Sequence, residues 1–347
     1  MEARQERRTK PAVRRTFIRV FLLPSWGILG IVALVFVAGA EAGTWVQYAP
    51  FALSLIFFGL PHGAVDHLVP GRLSGGGSTI NSIAAVVALY LVLAVLYLLL
   101  WSNSPGVAFV FFIALTWFHW GQGDLYFIEV LRRNIDARPR LLKALTVFVR
   151  GGMPMLVPLL AFPEVYRGVA GNIVGLFRGD ADWISWVFDP VFRGACGVGF
   201  FLVVIASLYW SYRVSQGRER FAWHIEVAEV LILAAYFAIV PPILALGLYF
   251  CLWHSPRHIA RLMLLDPTSA PALEKGKISV ALAAFVRDAA PLTIAALALL
   301  VGLYFLVPGR VDGAGGLLAV YLVLISTLTL PHVVIVCFMD RRQGIWR

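Results

Sequence analysis

Two histidines stand four residues apart in the segment WHSPRH, a spacing typical of metal sites on helices. On a helix, His254 and His258 project from the same face, so both imidazoles can bind one metal ion. The pattern also occurs by chance, so a metal site needs further ligands from other segments. His62 in GLPHGAVDH and His119 in WFHWGQGD are the candidates, because they also interrupt long apolar runs.

A ligand set made only of imidazoles suits iron, copper or zinc. Four neutral imidazoles around Fe(II) leave two coordination positions for dioxygen or an oxidised substrate. The three cysteines form no CxxC pair, so the sequence predicts neither a disulfide framework nor a zinc ribbon. The alternative is that the histidines are interior polar groups of a transporter or of a proton path.

Polar residues next to these histidines are candidates for orienting the ligands. On a helix, Asp66 lies about 40° around the axis from His62, whereas His67 lies about 140° away. We therefore expect the Asp66 carboxylate to orient His62 or a neighbouring ligand. Further candidates for this role or for lining the substrate are His67, Gln122, Asp124, Glu226 and Glu229. For the last three, the alternative is pairing with arginine or contact with the cytoplasm.

The composition predicts a membrane protein. Of the 347 residues, 60% are hydrophobic and 14% are charged, against about 25% charged residues in soluble domains. Apolar stretches long enough to cross a bilayer recur along the chain. We predict an all-α, polytopic helical bundle with about ten spans, and eight as the lower bound. The spans are expected at 21–41, 47–68, 80–101, 106–126, 143–162, 191–211, 225–242, 243–264, 289–307 and 315–338.

A proline pair and a long loop interrupt the predicted spans. Pro241 and Pro242 either separate the seventh and eighth spans or kink one long helix. Residues 163–190 form the longest predicted loop, on the outer side.

The distribution of basic residues predicts the orientation. Of the 29 Lys and Arg residues, all but Arg167, Arg178, Arg193 and Arg310 fall on one side of this map. The bias places both termini in the cytoplasm and the protein in the plasma membrane. The chain then comprises a basic arm (1–20), one multispanning domain (21–340) and a basic tail (341–347). The net charge of +10 reflects this topology and contact with anionic lipid, and we expect no nucleic-acid partner.

The histidines share one depth in this map. His62, His119, His254, His258 and His332 lie roughly 16–26 Å from the outer boundary, at about 1.5 Å per residue. Ionisable groups at membrane depth are costly and face a functional interior by default. Prolines precede or separate them at positions 61, 256 and 331, and such bends predict a pocket.

These motifs resemble those of a known family. GLPHGAVDH, WFHWGQGD, WHSPRHIARL and LPHVVIVCFMDR, taken in this order, are similar to segments of the Brp/Blh family of integral membrane β-carotene 15,15′-dioxygenases, which make retinal for microbial rhodopsins. The resemblance covers residues 50–342, and the N-terminal arm has no counterpart in it.

The resemblance implies Fe(II)- and O2-dependent cleavage of β-carotene at its central double bond into two molecules of all-trans-retinal. The family's iron ligands correspond to His62, His119, His254 and His258. His332 also matches a family histidine, and its expected role is to support a ligand or to line the substrate. A functional link to a microbial rhodopsin is implied as well. The role of His224, the remaining histidine, stays open.

Two other readings remain at the level of the sequence. Membrane hydroxylases and desaturases use more histidines, arranged in several HxxxH and HxxHH boxes, whereas this chain has a single HxxxH. A haem or metal-ion transporter would instead use histidines on facing helices as axial ligands.

Overall fold

The computed structural model describes residues 11–75, 79–132, 138–179 and 182–346, and these residues form helices and turns without a strand. In chain order the α-helices are α1 (Pro11–Thr16), α2 (Leu23–Val37), α3 (Thr44–Phe57), α4 (Pro61–Ala64), α5 (Val69–Ser74), α6 (Ile80–Asn103), α7 (Pro105–Leu131), α8 (Arg140–Ala161), α9 (Pro163–Gly175), α10 (Pro190–Val214), α11 (Arg220–Ile239), α12 (Pro242–Tyr249), α13 (Ser255–Met263), α14 (Ser269–Glu274), α15 (Ile278–Leu306) and α16 (Gly313–Gln343). Two π-helical turns lie at Phe17–Leu22 and Phe250–His254, and short 3₁₀ segments lie at Asp66–Leu68, Asp182–Phe188 and Gly217–Glu219.

Among the described residues, eight helical stretches are long and apolar enough to cross a membrane, so this is a membrane protein. They are Pro11–Val37, Thr44–Ser74, Ile80–Asn103, Arg140–Ala161, Pro190–Val214, Arg220–Ile239, Ile278–Leu306 and Gly313–Gln343. The predicted fourth and eighth spans are also helical, as α7 and as α12 with α13. The all-α prediction is confirmed, whereas the number of crossings and the orientation of the termini stay predictions.

The outer faces of these helices are apolar. Leu91 on α6, Phe201 on α10 and Ile294 on α15 are each more than three-fifths exposed. Such large side chains are stable on an outer surface that faces lipid, since lipid is as apolar as they are.

The first helical stretch begins earlier than the predicted span at residue 21. Residues 1–10 of the predicted arm lie outside the described part of the chain, but the helix is already formed at Pro11. Val13 and Phe17, one turn apart, are buried, and the Phe17 ring stacks on Phe127 at 5.6 Å between centroids. Arg15 and Arg19 stay exposed, so this stretch is amphipathic.

The long loop predicted at 163–190 contains the helix α9. Pro163 starts it, and Ala170, Ile173 and Val174 pack into the core at helical spacing. The predicted span 47–68 is likewise interrupted. α3 ends at Phe57, and a new helix starts at Pro61, because proline cannot donate the backbone hydrogen bond that would continue the first helix.

Glycines allow α7 and α8 to cross closely. A methyl group on Gly121 would overlap the carbonyl oxygen of Val147, and one on Gly151 would overlap the carbonyl oxygen of Trp117. The two backbones therefore touch, as small residues permit in membrane helices. This crossing fixes the position of α7, which carries His119.

We predict that Gly151→Ala lowers the stability of the detergent-solubilised protein by roughly 1–3 kcal/mol, because the added methyl group has no space. The matched control is Gly199→Ala on α10, where nothing lies within 4 Å of the added carbon. Thermal melting of both variants, followed by tryptophan fluorescence, checks this. Equal melting temperatures would contradict the close crossing.

Candidate metal centre and its surroundings

Five buried imidazoles from four parts of the chain converge inside the bundle. His62 lies in α4, His119 in α7 and His332 in α16, while His254 ends the π-helical turn before α13, which carries His258. Ring centroids are 4.7 Å apart for His119 and His332 and 4.8 Å apart for His119 and His254. The widest separation recorded, between His62 and His119, is 6.4 Å. We call these five residues the histidine cluster.

The cluster contains two groups of potential ligands. One nitrogen each of His62, His119 and His254 lie within 4.8 Å of one another, and so do ligand atoms of Asp66, His258 and His332. Two nitrogens bound to the same ion at about 2.1 Å are at most roughly 4.2 Å apart. A small shift of the side chains therefore suffices for either group to hold a metal ion.

Several of these nitrogens have no hydrogen-bond partner among the described residues. They are Nδ1 of His119, both ring nitrogens of His258 and Nε2 of His332. Each buried polar atom left without a partner costs about 1–3 kcal/mol. A metal ion in the cluster would remove part of this cost by accepting one lone pair from each neutral imidazole, so the residues fit a metal.

His332 lies inside the histidine cluster, whereas the sequence predicts only a supporting or substrate-lining role for it. Its ring centroid lies 4.9 Å from those of both His62 and His258. Its Nδ1 is 2.6 Å from Oδ2 of Asp66, and the same oxygen accepts a hydrogen bond from the Tyr90 hydroxyl at 2.6 Å. Asp66 thus orients the neighbouring His332, while Nδ1 of His62 contacts the carbonyl oxygen of Gly59.

The other sequence-predicted residues lie around the cluster. Gln122 donates to Oδ2 of Asp340 at 2.8 Å, which links α7 to the end of α16. His67 is half-buried, and its Nδ1 is 3.0 Å from the carbonyl oxygen of Ala64. His224 is exposed near the start of α11, where Nδ1 is 2.6 Å from the carbonyl oxygen of Arg220.

A buried group of four charges lies beside the cluster. The Asp124 carboxylate accepts from Nε of Arg150 at 2.8 Å and from Arg257 at 3.1 Å, and both guanidinium groups also pair with Glu229. Nε1 of Trp253 donates to Asp124 at 3.0 Å. We call Asp124, Arg150, Glu229 and Arg257 the charge quartet.

The charge quartet determines where the two histidines of WHSPRH lie. Arg257 stands between His254 and His258 and is tied to α7 and α11 through its carboxylate partners. Its guanidinium also stacks over the Trp253 ring at 3.8 Å. Asp124 and Glu229 therefore pair with arginine, which is the alternative that the sequence left open. Glu226 does the same with Arg132 and Arg138.

Sequence reasoning missed Tyr90, Arg150 and Arg257. Tyr90 lies within the apolar run of α6, so no motif marks it. Arg257 lies inside WHSPRH, where the two histidines are the signal of a metal site, and Arg150 counts only toward the excess of basic residues on the cytoplasmic side. Buried arginines in a membrane bundle need carboxylate partners, and this requirement was the available signal for the quartet.

Two glycines lie beside the imidazoles. A methyl group on Gly63 would lie 3.4 Å from Nδ1 of His332, and one on Gly123 would lie 3.4 Å from Cε1 of His254. Two cavities also reach the cluster, and His62 lines both. Apart from these histidines, His67 and Asp66, their walls are mostly apolar.

The comparison with known proteins identifies the family of the chain. A family model described as beta-carotene 15,15′-dioxygenase matches residues 53–340, which include all five histidines of the cluster. The chain belongs to the β-carotene 15,15′-dioxygenase family. This confirms the resemblance recognised in the sequence motifs.

Relatives of this family member are found in archaea and bacteria. It is 44% identical to the probable beta-carotene 15,15′-dioxygenase Blh of Halobacterium salinarum, over 96% of this chain and 95% of that protein. Identity is 30% to the probable beta-carotene 15,15′-dioxygenase Brp of the same organism, over 89% and 88%. Identity is 23% to a beta-carotene 15,15′-dioxygenase of an uncultured marine bacterium, over 85% and 94%. No solved structure matches the chain.

We predict that Asp124→Asn destabilises this dioxygenase-family protein by roughly 3–5 kcal/mol, because it leaves two buried guanidinium groups with one carboxylate. The matched control is Glu164→Gln, which removes one carboxylate from an exposed ion pair with Arg167. Melting in detergent checks the prediction. Equal melting temperatures of the two variants would show that the quartet does not stabilise the bundle.

Proposed function

We propose that the protein is an Fe(II)- and O2-dependent enzyme of the plasma membrane that cleaves β-carotene at the central 15,15′ double bond into two molecules of all-trans-retinal. The observation that carries this proposal is a cluster of buried imidazoles with unpaired nitrogens inside a chain of the β-carotene 15,15′-dioxygenase family. An all-imidazole set favours iron, copper or zinc, and dioxygenase chemistry selects iron among them.

The proposed iron ligands are His62, His119, His254 and His258. Iron at this position supplies the redox chemistry of dioxygen that amino-acid side chains lack. We further propose that His332 turns its Nε2 to the same ion, because that nitrogen has no partner while its Nδ1 is engaged by Asp66. A carboxylate that holds one ring nitrogen in this way fixes the tautomer of the imidazole and raises its basicity.

The remaining side chains exclude water and hold the substrate. β-Carotene is a hydrocarbon that dissolves in the bilayer, so a site reached through apolar cavities can take it up without passing it through water. The dry surroundings protect the reacting groups from side reactions with solvent. Tyr90, Asp66 and His67 are polar residues on one cavity wall, but no residue needs to act as a general base.

The reaction balances without a further reductant. One carbon–carbon double bond and the bond of one dioxygen molecule break, and two carbonyl bonds form, so each retinal carries one oxygen atom. Retinal is itself apolar, and we propose lipid or a microbial rhodopsin in the same membrane as its acceptor.

The direct test is expression in a bacterium that accumulates β-carotene, with retinal measured by chromatography of the extract. We expect loss of the orange colour and formation of retinal. His62→Ala, His119→Ala, His254→Ala and His258→Ala should each lower retinal formation by about 100-fold or more, because removing a ligand exceeds the 10–100-fold cost of removing a ligand's partner.

The matched control is His224→Ala, which removes an exposed histidine from the same bundle. It should keep both the retinal yield and the iron content of the purified protein. Full activity of His119→Ala or His254→Ala would refute the ligand assignment. A co-purified porphyrin absorption band would indicate a haem protein instead.

A further inference from the structure

Two cavities approach the histidine cluster from different sides and share one wall. The larger, of about 400 Å³, lies among α4, α6, α15 and α16, and we call it the lateral cavity. The smaller, of about 110 Å³, lies among α3, α7, α9, α12 and α16, and we call it the inner cavity. His62, Ile325 and Thr329 line both. The shared wall is therefore beside the proposed metal.

The lateral cavity faces the membrane. Leu91 on α6 is 63% exposed and Leu299 on α15 is 40% exposed, and both line it. These helices present apolar outer faces, so the gap between them is an entrance from lipid. A hydrocarbon dissolved in the bilayer reaches His62 through this gap without crossing water.

The inner cavity is enclosed by aromatic side chains. Phe109, Phe112, Phe250 and Tyr321 line it and are each less than a tenth exposed. α9 adds Val169 and Ile173, and it contributes no residue to the lateral cavity or to the histidine cluster. α9 therefore forms part of the inner cavity that the lateral cavity does not share.

The register of a polyene presents a physical problem for any enzyme that cuts it at one bond. Successive double bonds along the chain have similar polarity, and apolar recognition is non-directional. No hydrogen bond can mark the central bond. The shape of the cavity is then what can stop the polyene with its central double bond beside the proposed metal.

We propose that the carotenoid lies across both cavities beside His62, with one half in the lateral cavity and the other half in the inner cavity, whose side chains move apart to admit it and whose wall at α9 stops it. The depth of the inner cavity then selects the bond that rests beside His62. The proposal rests on the proposed function and adds to it the residues that choose the cleavage position.

Val169→Phe tests this proposal, because the larger side chain shortens the inner cavity at α9. We expect the yield of retinal from β-carotene to fall by about 10-fold or more, with a pair of unequal aldehydes cut at a neighbouring double bond. The products are separated by chromatography and identified by mass. Val169→Ala lengthens the cavity, folds without added bulk and should also yield unequal pairs.

The matched control is Val301→Phe, the same change on α15 in a third cavity of about 680 Å³ that no histidine lines. It should form retinal alone, as the unchanged protein does. Iron content is measured for every variant, so that loss of metal is separated from a change of register.

The products distinguish a wrong register proposal from a wrong proposed function. If Val169→Phe and Val169→Ala keep iron and form retinal alone in unchanged yield, the cavity does not set the register and the proposal is wrong. The proposal also fails if Val301→Phe changes the products in the same way. If the unchanged protein forms no aldehyde, the proposed function fails first.

Discussion

The structure depends on one constraint, namely that imidazole nitrogens buried in an apolar bundle need a partner. Five imidazoles lie within one cluster, and four of their nitrogens have no hydrogen bond among the described residues. Together these unpaired atoms would cost several kcal/mol, at about 1–3 kcal/mol each, and a metal ion would remove part of this cost by accepting one lone pair from each imidazole. These histidines are therefore the candidate metal ligands. If a metal is bound there, its removal is expected to lower the stability of the bundle.

The charge quartet places no net charge beside the histidine cluster. Two carboxylates and two guanidinium groups balance, so the quartet adds no net charge next to the imidazoles. Asp124 lies on the same helix as His119, but its oxygens are occupied by Arg150, Arg257 and Trp253. These partners keep the Asp124 carboxylate from acting as a metal ligand in the cluster. Buried ion pairs of this kind contribute little net stability, but losing one partner is costly, and so the quartet fixes the position of WHSPRH.

Part of this arrangement was predictable from the sequence. The all-α membrane bundle follows from the apolar runs, and the meeting of His62, His119, His254, His258 and His332 follows from their common depth. The prediction that Asp66 orients His62 or a neighbouring ligand used the regular rotation of about 100° per residue, which does not hold where the helix is irregular. Because α3 stops before Pro61 and a 3₁₀ turn starts at Asp66, the Asp66 side chain reaches His332.

Irregular backbone also explains the positions of His254 and His258. A π-helical turn ends at His254, and the two histidines fall into different groups of potential ligands. Such turns occur often at functional sites, but no sequence signal places one. The helix α9 was missed for another reason. Its glycines, proline and charges are typical of a loop. The helix is stabilised by packing of Ala170, Ile173 and Val174 against the core.

X-ray absorption spectroscopy of the purified protein tests the central claim most directly, because it reports the atoms bound to the metal. The account predicts one iron per chain, with a shell of imidazole nitrogens and no sulfur. Iron bound through sulfur or in a porphyrin would contradict it, as would imidazoles that bind no iron.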